Sequence, residues 1–458
     1  MNNQFEQRQL NGDTLTPIAV FNRLEGKQKF ILESSAGHGE KGRYSFIGHN
    51  PFKEIIANGQ TVSVNTANRT EQVTEKPLEV VKQHIPHVEL DLPFAFYGGA
   101  IGYIGYDTIR QYEDIGELLD DEVDMPDLHL MFYQDVIVFD HKQQTVTLIA
   151  VNIDGARSRA ILNQALIGLE AQIFTDKPKQ VKESFNISFQ PAIEQEQFIA
   201  MVKTAKQHIL DGDIFQVVLS QRMKANFEID PFNFYRRLRL ANPSPYMFYL
   251  DFGPYIVLGA SPESLIKVTG RQVITNPIAG TRKRGQTEQE DDVLAKELLA
   301  DEKERAEHKM LVDLSRNDLG RIAEVGSIQI PKYMLIERYQ HVMHIVSEVT
   351  GTLAANMTGL DVLIATLPAG TVSGAPKIRA MQIINQLEQD KRGVYAGSVG
   401  YINLNGDLDL ALAIRTMVVK GKTAYVQAGA GIVSDSDPES EYQETLNKAK
   451  SLLEVAKQ

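Results

Sequence analysis

Through the N-terminal third of the chain, apolar and polar positions alternate in short runs broken by turn residues. "FILESS", "RYSFIGHNPFKEIIA" and "LHLMFYQDVIVFDHKQQTVTLIAVNI" read as strands, the last as a hairpin turning at His141 to Gln144. The period then lengthens to that of a helix in "RSRAILNQALIGLEAQIF", with its core at 158–174. The segment 176–191, "DKPKQVKESFNISFQP", is polar and bracketed by prolines. It is the expected linker between an N-terminal region, 1–175, and a second region, 192–458.

Beyond the linker, helices and strands mix. "EQEQFIAMVKTAKQHILDGD" predicts a helix ended by glycine, followed by a strand in "GDIFQVVLSQR" (212–222). Alternation puts Phe215, Val217 and Leu219 on one face of that strand and Ile214, Gln216, Val218 and Ser220 on the other. A buried amide without partners costs about 1–3 kcal/mol, so Gln216 is either a core amide bonded to backbone or a functional group. "FNFYRRLRL" reads as a helix, "YMFYLDF" and "YIVLGA" as strands, and "SLIKVTGRQVITNPIAG" as a hairpin. One long charged helix is expected over about 291–316, and further helices in "APKIRAMQIINQLEQ" and "SEYQETLNKAKSLLEVAKQ". Hairpins outnumber strand–helix–strand units. The expected class is therefore α+β, with layered antiparallel sheets covered by helices and a β-rich N-terminal region packed on them.

Composition narrows the function. The chain has 458 residues, 43% of them hydrophobic, enough for a large core. Its net charge is −12, from 47 basic and 59 acidic residues with no basic block, which argues against nucleic acid and anionic membrane as partners. The N-terminus is polar and no apolar run reaches the ~18 residues of a membrane span, so a soluble cytoplasmic protein is expected. Cysteine is absent, which removes disulfides, thiolate metal sites and thiol nucleophiles; tryptophan is absent too.

Several stretches carry candidate chemistry. "GKT" at 421–423 resembles the end of a phosphate loop, but Thr416 stands where that loop needs glycine, and a hairpin turn fits instead. "GAG" at 429–431 lacks the third glycine of a dinucleotide fingerprint, Ser434 being there, yet it allows close backbone approach to a ligand. Glu304 and Glu307 are three apart on one helical face, as are Glu441 and Glu444 at the start of another helix. Such pairs suit a hard dication like Mg2+, or else a solvated face with ion pairs and ordinary dipole complementarity. "TVSGAPKIRAM" offers Thr371 and Ser373 as caps with Pro376 in the first turn, either an anion site or plain capping. Arg415 is placed inside an apolar strand and needs an anionic partner. His344, in the β-like run "HVMHIVS", is as a lone histidine more often structural than catalytic.

Taken together and in order, "SPES", "NPIAGTRKRG", "EKERAEHKMLVDLSRNDLGR", "HVMHIVSEVTG", "LPAGTVSGAPKIRAM", "VYAGSVGYI", "LALAIRTMVV" and "QAGAGIVSDSDPESEYQET" resemble the chorismate-utilising enzymes. Among these the chain is most similar to the large subunits of anthranilate synthases, with Lys283 as a local departure where proline is common. The resemblance implies Mg2+ held by Glu307 and Glu444, with Glu304 and Glu441 close by through water. It implies Glu263 as the general acid for the departing C4 hydroxyl of chorismate, and His344 in the later loss of pyruvate. Arg415 and Tyr395 would clamp the enolpyruvyl carboxylate with backbone from Gly429, Ala430 and Gly431. Gly280 and Thr281 would meet the ring carboxylate, and Thr371 would line the pocket. Relatives that add water carry lysine where Gln216 stands, and aminodeoxychorismate synthases carry lysine where Ala279 stands. Gln216 and Ala279 thus point to amination at C2 and pyruvate elimination, giving anthranilate, with aminodeoxychorismate or aminodeoxyisochorismate synthesis as the alternative. A ligand-sensing homologue without turnover is a further reading. The ammonia would come from a glutamine amidotransferase subunit, since a thiol-dependent glutaminase needs a cysteine. "ILESS" and "NPSPYMFYLDF" match the segments of the family's tryptophan inhibitor site: Ser34 from the first and Pro245, Tyr246 and Met247 from the second, with Glu33 or Ser34 at the amino acid's polar end.

Overall fold

The computed structural model describes residues 4–34, 42–175, 186–339 and 342–455, so most of the expected linker lies outside the described residues. Two antiparallel sheets of twelve strands form its centre. The first runs from Phe5–Asn11 through Thr145–Val151, Asp135–Asp140, Tyr44–Gly48 and Phe30–Glu33 to Tyr246–Asp251, and ends with Tyr255–Ser261, Thr416–Lys420, Thr423–Ile432, Gln216–Asn226 and Gln190–Pro191. In the second, Ile278–Lys283, Val342–Thr352, Gln272–Thr275, Ser264–Thr269, Leu408–Leu412 and Ser398–Asn403 continue into Gly99–Ile104, Leu128–Tyr133, Lys53–Asn58, Thr61–Thr66 and Thr70–Thr74. Residues before and after the 176–191 segment therefore share both sheets. The seams are antiparallel pairings of Phe30–Glu33 with Tyr246–Asp251 and of Gly99–Ile104 with Ser398–Asn403.

Period-two alternation explains the layers. Phe248 and Leu250 point between the sheets with Phe30, Val138, Tyr103, Met131 and Val399. Their neighbours Met247 and Tyr249 point outward, into a core with the helices Arg159–Ile173 and Pro231–Ala241. The outer face of the second sheet is covered by Pro77–His84, Gly359–Thr366 and Glu302–Gly320, whose apolar positions Val81, Leu363 and Val312 join Leu265 and Val268 in one core.

The expected helix at 291–316 is two helices, Glu288–Ala300 and Glu302–Gly320. Asp301 breaks it with an extended backbone, its carboxylate accepting from the N–H groups of Lys303 and Glu304 at 3.1 and 3.2 Å. That is an N-cap in the middle of a charged run. The "GKT" stretch is a hairpin turn, with Gly421 at φ +58° between Thr416–Lys420 and Thr423–Ile432. Among the described residues no helix is long and apolar enough to cross a membrane.

Candidate active site

The strand Gln216–Asn226 lies beside Thr423–Ile432, with Val218 opposite Gly431 and Ser220 opposite Gly429. Val217, Leu219 and Ala430 are buried against Phe198, Val202 and Ala380 on the helix side. Gln216, Gly429 and Gly431 face the other way. Phe215 does not share the face of Val217 and Leu219 as expected: it precedes the strand and is 75% exposed. A Cβ built on Gly431 would fall 2.7 Å from Gln216 Nε2, and one on Gly429 2.7 Å from the Tyr395 hydroxyl. At Gly429 the Leu219 carbonyl, 2.9 Å away, closes the space together with the Tyr395 phenol, whereas at Gly431 the end of the Gln216 side chain occupies it. Gln216 Nε2 donates to Glu307 Oε1 at 3.1 Å, and its Oε1 is buried with no protein partner. Gln216 is therefore no core amide bonded to backbone; it reaches a carboxylate.

Glu263 sits between the strands Tyr255–Ser261 and Ser264–Thr269, its carbonyl accepting from Leu412 N at 2.9 Å. Its side chain is buried, and Thr371 Oγ1 donates to Oε1 at 2.9 Å. Burial pushes the Glu263 carboxyl up to about 7, against the opposing pull of the Thr371 bond and the Lys448 charge. Such a group holds a proton near neutrality and can release it. Thr371 is not a helix cap, nor is Ser373. Thr371 belongs to a single turn, Gly370–Val372, and Ser373 Oγ donates to Ala369 O at 2.8 Å. The helix Lys377–Leu387 starts after Pro376 with no side-chain cap, because Gly374 and Ala375 are drawn into pairing with Val217 and Gln216.

The second sheet supplies the opposite wall. Gly280, at φ +68°, forms a bulge between Ala279 and Thr281 in Ile278–Lys283. His344 Nδ1 lies 2.9 Å from the Gly280 carbonyl and 3.1 Å from Thr281 Oγ1. The carbonyl can only accept, so Nδ1 carries the proton and Nε2 is left as a base. Burial lowers the His344 pKa, and the Arg415 charge adds to that, although the Gly280 bond opposes both. Arg415 is not inside a strand: it stands in the bend between Leu408–Leu412 and Thr416–Lys420, at φ +51°. Among the described residues its guanidinium has no ion-pair partner, and burial lowers its pKa. A buried guanidinium so placed calls for an anionic ligand.

Two helices bring in the carboxylates. Burial raises the pKa of Glu304, with Glu307 adding to the effect, and Arg282 pairs with Glu304 at 3.3 Å. Burial likewise raises Glu441, and Glu444 contributes. Lys303 and Asp435 join the two regions at 3.2 Å. Among the described residues no three such side chains converge as a ready-made metal cage. The donors are nevertheless the hard oxygens Mg2+ prefers, and the unpartnered Gln216 Oε1 stands beside Glu307 as another. These residues fit a magnesium ion in chemistry. Lys448, which the motif reading missed, pairs with Glu444 at 2.7 Å and donates to Gly429 O at 3.1 Å. The only sequence signal for it was Glu–Lys spacing at i, i+4.

This geometry coincides with a family profile: a model described as chorismate binding enzyme matches residues 27–454. The chain belongs to that family. Anthranilate synthase component 1 of Lactococcus lactis subsp. lactis is 49% identical over 455 residues, 98% of this chain and 99% of the relative. The Thermus thermophilus protein of the same name is 44% identical over 449 residues, 97% of this chain and 96% of the relative. The crystal structure of anthranilate synthase component I from Streptococcus pneumoniae TIGR4 superposes with a TM-score of 0.85 at 45% identity, covering 97% and 98% of the two chains. The menaquinone-specific isochorismate synthase of Escherichia coli shares the fold, with a TM-score of 0.75 at 20% identity and 99% and 95% coverage.

The other expected cluster lies apart from these groups. Phe30–Glu33 pairs with Tyr246–Asp251, setting Glu33 opposite Met247, with Ser34 next in the chain and Pro245 one residue before Tyr246. Glu33 is already engaged: Arg239 grips its carboxylate at 3.0 Å and the Tyr235 hydroxyl donates to it at 2.8 Å. Ser34 is the remaining polar candidate of the two. Tyr246 pairs with Ser261, two residues before Glu263, so the cluster touches the active site through one strand pairing.

Proposed function

We propose that this chain is the synthase component of an anthranilate synthase, converting chorismate and ammonia into anthranilate and pyruvate. Identity of 45–49% over nearly the whole chain to proteins named anthranilate synthase component 1 or component I supports the reading, and Gln216 carries its chemical half. An amide bonded to Glu307 cannot abstract a proton from water, so the nucleophile must be competent already, as ammonia is. Protonated Glu263 delivers its proton to the departing C4 hydroxyl, which leaves as water while ammonia bonds to C2, and the surplus proton of the new ammonium restores the Glu263 carboxyl through solvent. Loss of the C2 proton and of the enolpyruvyl group at C3 then gives the aromatic amine and pyruvate, with His344 Nε2 as the base at hand. Arg415 and Tyr395 hold the enolpyruvyl carboxylate, with the backbone of Gly429 to Gly431; Gly280 and Thr281 receive the ring carboxylate.

Glu307 and Glu444 would hold Mg2+, with Glu304 and Glu441 through water. The ion would supply positive charge at the ring carboxylate. The ammonia is proposed to come from a separate glutamine amidotransferase, since this chain has no cysteine. Ser34, Pro245, Tyr246 and Met247 are proposed to bind tryptophan as an inhibitor. Purified protein given chorismate, an ammonium salt and Mg2+ should form fluorescent anthranilate and an equal amount of pyruvate. Chorismate consumed without pyruvate release would favour an aminodeoxychorismate-type product and overturn the assignment.

A further inference from the structure

Behind Thr371 and Tyr395 lies a charged pair that the chemistry above does not use. Arg392 and Glu388, at the end of the helix Lys377–Leu387, have side chains only 1% and 5% exposed. Arg392 Nε and Nη2 donate to the Glu388 carboxylate at 2.8 and 2.6 Å. Nη1 donates to Val372 O at 2.6 Å, and Nη2 also reaches Val218 O at 2.7 Å. Glu388 Oε1 in turn accepts from Ser220 N and Oγ at 2.8 and 2.9 Å. The guanidinium lies 4.9 Å from the ring centre of Tyr106 and 5.5 Å from that of Tyr395.

Each of these contacts is one step from a residue of the site. Val372 follows Thr371, whose hydroxyl holds Glu263. Val218 and Ser220 share the face of Gln216 on its strand. Tyr395 is the phenol over Gly429. Net stability is a poor reason for such a pair, because an apolar pair of similar volume is often as stable. A planar fork of five donors, by contrast, can hold two carbonyls and a carboxylate at fixed angles while stacking on a ring, which an ammonium cannot.

We propose that Arg392, braced by Glu388, is a positioning residue: through its bond to the Val372 carbonyl it fixes the Gly370–Val372 turn so that Thr371 donates to Glu263. The inference rests on the reading of Glu263 as the proton donor.

The test is a double-mutant cycle on anthranilate formation from chorismate and ammonium. One arm is the paired change Arg392→Met with Glu388→Leu, which leaves no lone buried charge; the other is Thr371→Val. The paired variant should stay folded by circular dichroism and lose roughly 100-fold in kcat, the cost of a small misplacement. Its KM for chorismate should change by no more than about threefold, because Arg415, Gly280 and Thr281 are untouched. In the Thr371→Val background the same paired change should cost less than about threefold in kcat, since its effect runs through that hydroxyl. Should the paired variant fail to fold, Arg392→Lys keeps the charge but cannot make all the bonds, and the same cycle applies. Equal losses in both backgrounds, or kcat unchanged by either Arg392 variant, overturn the inference alone. A parent protein that leaves chorismate untouched overturns the functional reading and this inference with it.

Discussion

At the scale of single residues, Glu263 gives the sharpest expectation. Its carboxyl is pushed from 4.5 to about 7 by burial, so the folded state favours the neutral form. That contribution to stability is complete below about 4.5 and is lost as pH rises through about 7. Glu263→Gln should therefore gain roughly 2–3 kcal/mol relative to the parent between pH 5 and pH 8 in urea unfolding. It should also lower turnover by about 10²- to 10⁴-fold. A stability gap that is the same at both pH values would mean that Glu263 titrates as an ordinary carboxyl. Gln216 gives a second expectation. A lysine there would face Glu307, and an opposite charge within bonding reach keeps an ammonium protonated. Gln216→Lys should make less anthranilate and only traces of a water adduct by chromatography. Amination at the parent rate would reduce Gln216 to a packing residue. Both residues were legible in the motifs. Lys448 was not, because its contacts with Gly429 and Glu444 arise only when the helix Pro438–Leu453 docks on its strand.

At the scale of elements, the break at Asp301 sets where Glu304 and Glu307 stand. Asp301→Ala removes two cap bonds and the 2.9 Å ion pair with Arg282. Loss of the cap should cost about 1 kcal/mol, read as a lower thermal midpoint. The Mg2+ concentration for half-maximal activity should rise, since the proposed ligand Glu307 and Glu304, proposed to act through water, both stand in the first two turns of the second helix; an unchanged magnesium titration would separate the cap from the metal. The break left no mark in the periodicity because Asp301 opens the charged run Asp301–Glu304 and apolar spacing near 3.6 continues on both sides of it. Thr371 failed in the opposite sense. A hydroxyl ahead of a helix looks like a cap, but pairing of Gly374 and Ala375 with the Gln216 strand delays the helix and leaves Thr371 free to reach Glu263.

At the scale of the whole molecule, both sheets cross between the N-terminal and C-terminal parts, so a ligand at the Glu33–Met247 seam acts on a continuous sheet. The pairing of Tyr246 with Ser261 carries any shift there to the neighbourhood of Glu263. If tryptophan binds at Ser34, Pro245, Tyr246 and Met247, chorismate must weaken it by the factor by which tryptophan weakens chorismate. The chain has no tryptophan of its own, so a bound ligand is the only indole present. Titration should give a saturable fluorescence change that chorismate with Mg2+ reverses, and Ser34→Ala should weaken it. No binding, with synthesis unaffected at millimolar tryptophan, would remove the regulatory proposal.

The sequence by itself determined the strands and most helices, because period-two and period-3.6 patterns are local consequences of which face is buried. It also determined the family, because the ordered motifs preserve residue types that one chemistry needs. Only the tertiary structure decided which partners those residues meet. Arg415 falls in a bend rather than a strand, Glu33 is committed to Arg239 and Tyr235, and Gln216 reaches Glu307 across 91 positions of chain. Contacts of that range depend on sheet order and on where helices start, and neither leaves a mark on local hydrophobic patterning.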